Sequence, residues 1–154
     1  SKNFTLGEMT RSRVAERNGI ENRPNEDELK ALTLLAENAL QPIRDHWGSV
    51  SVSSGFRCRE LEKVICHSKI QELMLSGGYD AVEAYLAKKS HPKGEAADIE
   101  IPGLDNKGLF EWCKKNIEYD QLILEFYKDG VPNSGWVHVS FRSGGNRKQA
   151  FTIN

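Results

Sequence analysis

Two histidines and an aspartate stand out because each sits in a segment where an apolar residue would pack better. His91 and Asp98 are seven residues apart in "KKSHPKGEAADIEI" (Lys88 to Ile101), and His138 interrupts the apolar alternation of "WVHVS". A carboxylate inside an apolar strand is costly unless it is paired, hydrogen-bonded or bound to a metal. One shared partner would offset several such costs at once. Two imidazoles and one carboxylate form the three-ligand set of a catalytic zinc, whose fourth position stays open to water. Glu125 in "LILEF", with Gln121 beside it, adds a candidate base from another strand-like segment.

Each residue taken alone has a plainer account. A single histidine on an apolar strand is more often a hydrogen-bonded core residue than a ligand. Asp98 by itself fits the outward half of a period-two alternation, and His91 fits a loop. Their joint occurrence, with the turn-forming Gly94 between the first two, is what favours a metal. Non-haem iron oxygenases also use two histidines and a carboxylate. Their first pair lies two residues apart on one strand, which a seven-residue spacing fits poorly. Cys66 and His67 are adjacent, but a second zinc site needs about four ligands and no others are near in sequence. Glu95, Glu100 and Glu118 read as solvated charges.

These residues need a scaffold, and the pattern of the chain supplies one. A short helix is expected over Glu8 to Arg17, stopping at Asn18-Gly19. The main helix begins at the Asn25 cap, with Glu28 three residues on. Leu29, Leu32, Ala36, Ala39, Leu40 and Ile43 recur at helical spacing, and Pro42 should kink or end the helix. "SVSVSS" (Ser49 to Ser54) alternates as a strand into the turn "SGFR". Cys58 to Leu75 is helical in pattern, "SGG" breaks it, and "YDAVEAYLAKK" supplies another helix. "AADIEI", "QLILEF" and "WVHVSF" read as strands, and "NKGLFEWCKKN" as an amphipathic helix with Leu109, Phe110 and Cys113 on one side. The expected class is α+β, a single domain over residues 1–154 with a small antiparallel sheet carrying the site, packed against amino-terminal helices.

Composition narrows the remaining possibilities. The 154 residues can bury a core without disulfide or metal staples, so a metal is free to be functional. No apolar run approaches the ~18 residues of a membrane span. A net charge of −1 provides no general field for a nucleic-acid backbone, which is therefore not an expected partner. The start "SKNFTLGEMTRSR" has no apolar stretch of the kind found in a secretory signal. Cys58, Cys66 and Cys113 are odd in number and read as reduced thiols.

"HPKGEAADIEI" followed by "WVHVS" resembles the H-x-x-G-x-A-x-D … W-x-H pattern of the zinc D-Ala-D-Ala carboxypeptidase family, which shares its fold with the hedgehog signalling domain. "SSGFRC" (Ser53 to Cys58) is similar to the family's S-G-[YF]-R turn, and "QLILEF" to its Q-[LI]-I-x-E strand. "NFTLGEMTRS … LQPIRDHWG" resembles the amino-terminal helices of its phage and prophage branch. Together the resemblance covers nearly the whole chain. It implies a hedgehog/DD-peptidase-like fold, with His91, Asp98 and His138 as Zn2+ ligands. It implies Glu125 as general base, and Arg57 and Gln121 at the substrate. Zinc would polarise the scissile carbonyl and lower the pKa of its water, while Glu125 moves the proton to the leaving amine. Arg57 could hold a substrate carboxylate or carbonyl through its planar donor fork.

The chain departs from the family pattern after the S-G-x-R turn. Glu62 takes the place of an asparagine, and a helical insertion at about 58–89 leads to the His91 motif. The function implied is hydrolysis of peptide bonds in the stem peptides of bacterial cell-wall peptidoglycan, as a carboxypeptidase or endopeptidase. Such an enzyme would be a monomer made in the cytoplasm and acting at the wall in phage or prophage lysis. The alternative is a non-catalytic, hedgehog-like, zinc-containing wall-binding module. Retention of Glu125 and Arg57 argues against it, since a structural zinc is closed by a fourth protein ligand.

Overall fold

The computed structural model describes residues 1–154. Its amino-terminal helices begin where polar caps satisfy otherwise free backbone N–H groups. Thr5 and Glu8 form a capping box at α1 (Leu6–Thr10). Ser12 then accepts from the Ala15 amide and starts α2 (Arg13–Arg17). The single helix expected over Glu8 to Arg17 is therefore two, because Ser12 is more favourable as a cap than inside a helix.

Asn25 and Glu28 form the expected capping box of α3 (Glu26–Leu35). Pro42 does not end the helical run. A π-helical turn over Ala36–Leu40 sends the Gln41 amide to the Ala36 carbonyl, and α4 (Gln41–Trp47) carries Pro42 in its first turn. Proline is tolerated there because first-turn N–H groups have no partner within the helix. The helix closes at Gly48, whose φ of 87° suits glycine. Leu32, Leu35, Ala36, Ala39, Leu40 and Ile43 enter the core, whereas Leu29 stays exposed.

Five strands form one sheet in the order β1-β2-β4-β3-β5. They are β1 (Ser51–Ser54), β2 (Ala96–Glu100), β3 (Gln121–Glu125), β4 (Trp136–Ser140) and β5 (Gln149–Ile153). The first three pairings are antiparallel, as expected, but β5 runs parallel to β3. This fifth strand was not legible in "QAFTI", which lies largely exposed at the sheet edge.

Alternation divides the sheet into two unlike faces. Ala97, Ile99, Leu122, Leu124, Val137 and Val139 point into the core, against residues of α3, α4 and the π-helical turn, and against Leu109, Phe110 and Cys113 of α7 (Asn106–Asn116). A one-residue slip would expose this entire apolar set, so the register is tightly specified. The opposite face carries Asp98, His138, Ile123 and Glu125 on neighbouring rungs.

Between β1 and β2 the chain forms α5 (Arg59–Ile65) and α6 (His67–Ala87), the latter kinked at Gly78 where φ is 66°. Gly78 is outside the helical region, so the expected "SGG" break is present and divides α6 into two helical stretches. No helix is long and apolar enough to cross a membrane.

Candidate metal centre

Asp98 and His138 face each other on directly opposed positions of β2 and β4. Their Oδ1 and Nδ1 atoms are 3.0 Å apart. His91 comes from a 3-10 turn, His91–Lys93, that follows α6 and ends at Gly94. Gly94 is in the left-handed region at φ 74°, and a Cβ there would collide with the Glu28 carbonyl of α3. Both constraints require glycine, and together they aim the preceding His91 toward the sheet.

Backbone contacts fix the His91 ring. Its Nδ1–H donates to the Gly55 carbonyl at 2.7 Å, leaving Nε2 unprotonated and 3.4 Å from Asp98 Oδ1. Gly55 is itself packed against the Met9 carbonyl, where a side chain would not fit, so α1 helps to set the SGFR turn. The imidazoles of His91 and His138 meet edge to face, 5.2 Å between centroids.

One ligand atom from each of His91, Asp98 and His138 lies within 4.8 Å of the others, and all three residues are buried. A tetrahedral zinc with bonds of about 2.0–2.1 Å holds neighbouring ligand atoms ~3.3 Å apart. Separations of 3.0 and 3.4 Å around Asp98 Oδ1 suit such an ion. The set can hold a metal.

Burial alone would raise the Asp98 carboxyl pKa, but His138 and His91, when their rings are protonated, outweigh it through hydrogen bonding and charge and hold the group well below the usual carboxylate range. Its second oxygen is occupied. Arg57 donates from Nη2 to Asp98 Oδ2 at 3.1 Å and from Nη1 to Glu62 Oε2 at 3.3 Å, while Nε donates to Ser54 Oγ at 2.7 Å. Asp98 therefore presents Oδ1 alone to the imidazoles.

Glu62, noted in the sequence only as a departure from the family asparagine, is part of the site wall as the ion-pair partner of Arg57. It is buried, and besides Arg57 it accepts from the Cys66 thiol at 3.2 Å. An acid five residues after Arg57, next to the buried Leu61, was the available signal.

Glu125 stands opposite Trp136, two rungs beyond the Ile123–His138 pair and so on the same face. Such diagonal neighbours lie ~7–8 Å apart at the backbone, close enough for a long carboxylate to approach the metal position. Gln121 shares that face and donates from Nε2 to Gln149 Oε1 of β5. Both residues line a cleft of about 520 Å³, with the three candidate ligands at its base and Arg57 and Glu62 in its wall. Cys66, Tyr85 of α6, Lys89 just after it and Ile153 of β5 also line it.

The remaining sequence candidates do not join the His-Asp-His cluster. His67 is exposed, and Cys66 and His67 join no ligand cluster. Glu100 accepts from Asn106, and Glu118 pairs with Lys148. The three cysteines are free thiols.

A comparison with curated proteins returns no match. The family profile described as Peptidase M15 matches residues 2–140, leaving only the segment that carries β5 beyond the match. With a buried His-Asp-His cluster able to hold a metal ion and a profile spanning nearly all of the chain, the protein belongs to the peptidase M15 family, whose members are zinc-dependent metallopeptidases.

Proposed function

We propose that this metallopeptidase hydrolyses peptide bonds in bacterial cell-wall peptidoglycan, with His91, Asp98 and His138 as zinc ligands and Glu125 as general base. The observation that carries the reading is the alignment of Asp98, His138 and Glu125 on one sheet face at the base of an open cleft. When bound, zinc supplies a Lewis acid that polarises the scissile carbonyl and acidifies a water.

The chain's own groups do the rest. His91 and His138 offer Nε2 and Nδ1, their orientations fixed by Gly55 and by the β2–β4 register. Glu125 accepts the proton of the attacking water and returns it to the leaving amine, so no free hydroxide or amide anion need form. Arg57 keeps Asp98 in place through Oδ2. Its remaining donor capacity and the Gln121 carboxamide face a substrate lying in the cleft.

Mass spectrometry of a peptidoglycan digest tests this directly. Released peptides or amino acids should appear with the zinc-loaded protein and vanish with chelator. Glu125→Ala should keep about one zinc per chain and lose 10²- to 10⁴-fold in rate, about the contribution of a positioned base. Undiminished release by that variant would remove Glu125 from the mechanism. Full zinc binding with no release by the parent would favour a wall-binding module.

A further inference from the structure

Next to the metal cleft lies a second depression of about 420 Å³, and the two share Lys88, Ser90 and Gln121 in their walls. Its remaining charged residues are Lys93, Glu95, Asp120, Arg142 and Arg147. Four cations thus converge with two carboxylates, in a chain whose net charge is −1.

The two carboxylates do not neutralise this site equally. Asp120 is committed to Arg147, accepting from Nε at 2.9 Å and Nη2 at 2.7 Å, with Arg142 Nη1 at 3.9 Å. Lys88 and Lys93 have no carboxylate oxygen within 4.0 Å. Glu95 is half-buried, and burial pushes its carboxyl up against the opposing pull of Lys93 and Arg142. Unpaired ammonium groups in a concave wall raise the local concentration of anions.

The depression is also in line with the cleft. Gln121 is two residues along β3 from Ile123, the partner of His138. That is ~7 Å, about the length of two residues of extended peptide. Ser90 makes the same connection on the other side, adjacent to His91.

We infer that this basic trough is a subsite for a carboxylate carried by the peptide substrate two or three residues from the scissile bond. The inference rests on the peptidase reading above for its substrate, but the binding it describes does not require turnover. A chain lying across Gln121 and Ser90 places such a carboxylate among Lys88, Lys93 and Arg142. It does so without displacing the Asp120–Arg147 pair.

The test uses a synthetic wall stem peptide with its internal carboxylate either free or converted to the primary amide. Binding and kcat/KM are measured for both forms with the zinc-loaded parent and with the Lys93→Gln, Arg142→Gln double variant, whose changed residues do not line the metal cleft. The parent should favour the acidic form by about tenfold, from a few partly exposed charge contacts, and lose that preference in high salt. The double variant should lose most of that preference, keeping only what Lys88 supplies, and handle the amide as the parent does. Equal handling of the two forms by the parent, or an undiminished preference in the variant, overturns the subsite. If neither form is cleaved but the parent binds the acid more tightly and the variant does not, the subsite stands and the peptidase reading fails. Absence of both cleavage and preferential binding overturns both.

Discussion

Arg57 donates to Asp98 at 3.1 Å, so the residue expected to meet substrate is also tied to a candidate metal ligand. The same guanidinium is the ion-pair partner of Glu62, whose side chain is 1% exposed. Arg57→Ala should therefore do two separable things. Leaving Glu62 buried and unpaired costs on the order of 3–5 kcal/mol of stability, read by urea unfolding. Freeing Asp98 Oδ2 should lower zinc affinity by about 10- to 100-fold, read by chelator competition. Adding Glu62→Gln should restore much of the stability and little of the affinity. Unchanged affinity in both variants would mean that Arg57 does not orient Asp98.

Gly94 holds a left-handed φ and a contact that excludes any side chain. Gly94→Ala should cost at least the ~1–2 kcal/mol of a left-handed non-glycine residue, plus the displacement of α3 from the His91 turn. Thermal unfolding would register the first, and zinc titration the second as weakened binding. A variant as stable as the parent would show that the turn has room to relax.

Asp120, which does not line the metal cleft, offers a pH test. Hydrogen bonds from Arg147, chiefly from its side chain, lower the Asp120 pKa against the effect of burial. A carboxyl lowered on folding adds stability that is complete above its unfolded pKa of ~3.9 and disappears as pH falls through the lowered folded value. Asp120→Asn should thus be less stable than the parent by ~1–3 kcal/mol at neutral pH, with the gap narrowing below about pH 4. Denaturant midpoints across pH 2–7 would check it, and a gap that widened in acid would contradict the assignment.

Burial pushes the Cys113 thiol up to about 12, and none of the residue's surface is exposed. Since thiolate is the reactive form, alkylation at pH 8 should leave Cys113 unmodified in the folded protein and label it after denaturation. Labelling of Cys113 at the rate of the half-exposed Cys58 would show that the α7 side of the core opens readily.

The proximity of Asp98 and His138 was readable because both violate the apolar pattern of their own strands. Asp98 in "AADIEI" and His138 in "WVHVS" are conspicuous for the reason that makes them costly. Glu62 was harder to read, since an acid on a charged helix carries no such mark, and its burial against Arg57 is a tertiary event. Caps were legible at Asn25, where side chain and backbone lie within four residues, but the Ser12 cap was hidden in an apparently continuous helical pattern. The π-helical turn was not foreseeable from Pro42, because the turn before a proline can widen as readily as the helix can end. For β5, pairing with β3 is a tertiary event, and "QAFTI" has too little alternating burial to announce it.

The opposed positions of Asp98 and His138 also link metal loading to folding order. Forty residues, including α7 and β3, separate the two, so their rung closes only after a long loop has been ordered. A chain misaligned by one residue would turn one of the pair toward the core and offer an incomplete ligand set. A metal held by this set would therefore discriminate between the finished sheet and its misregistered competitors. An ion that binds only the finished rung would slow unfolding more than it speeds folding, acting as a latch on the native alignment rather than as its nucleus.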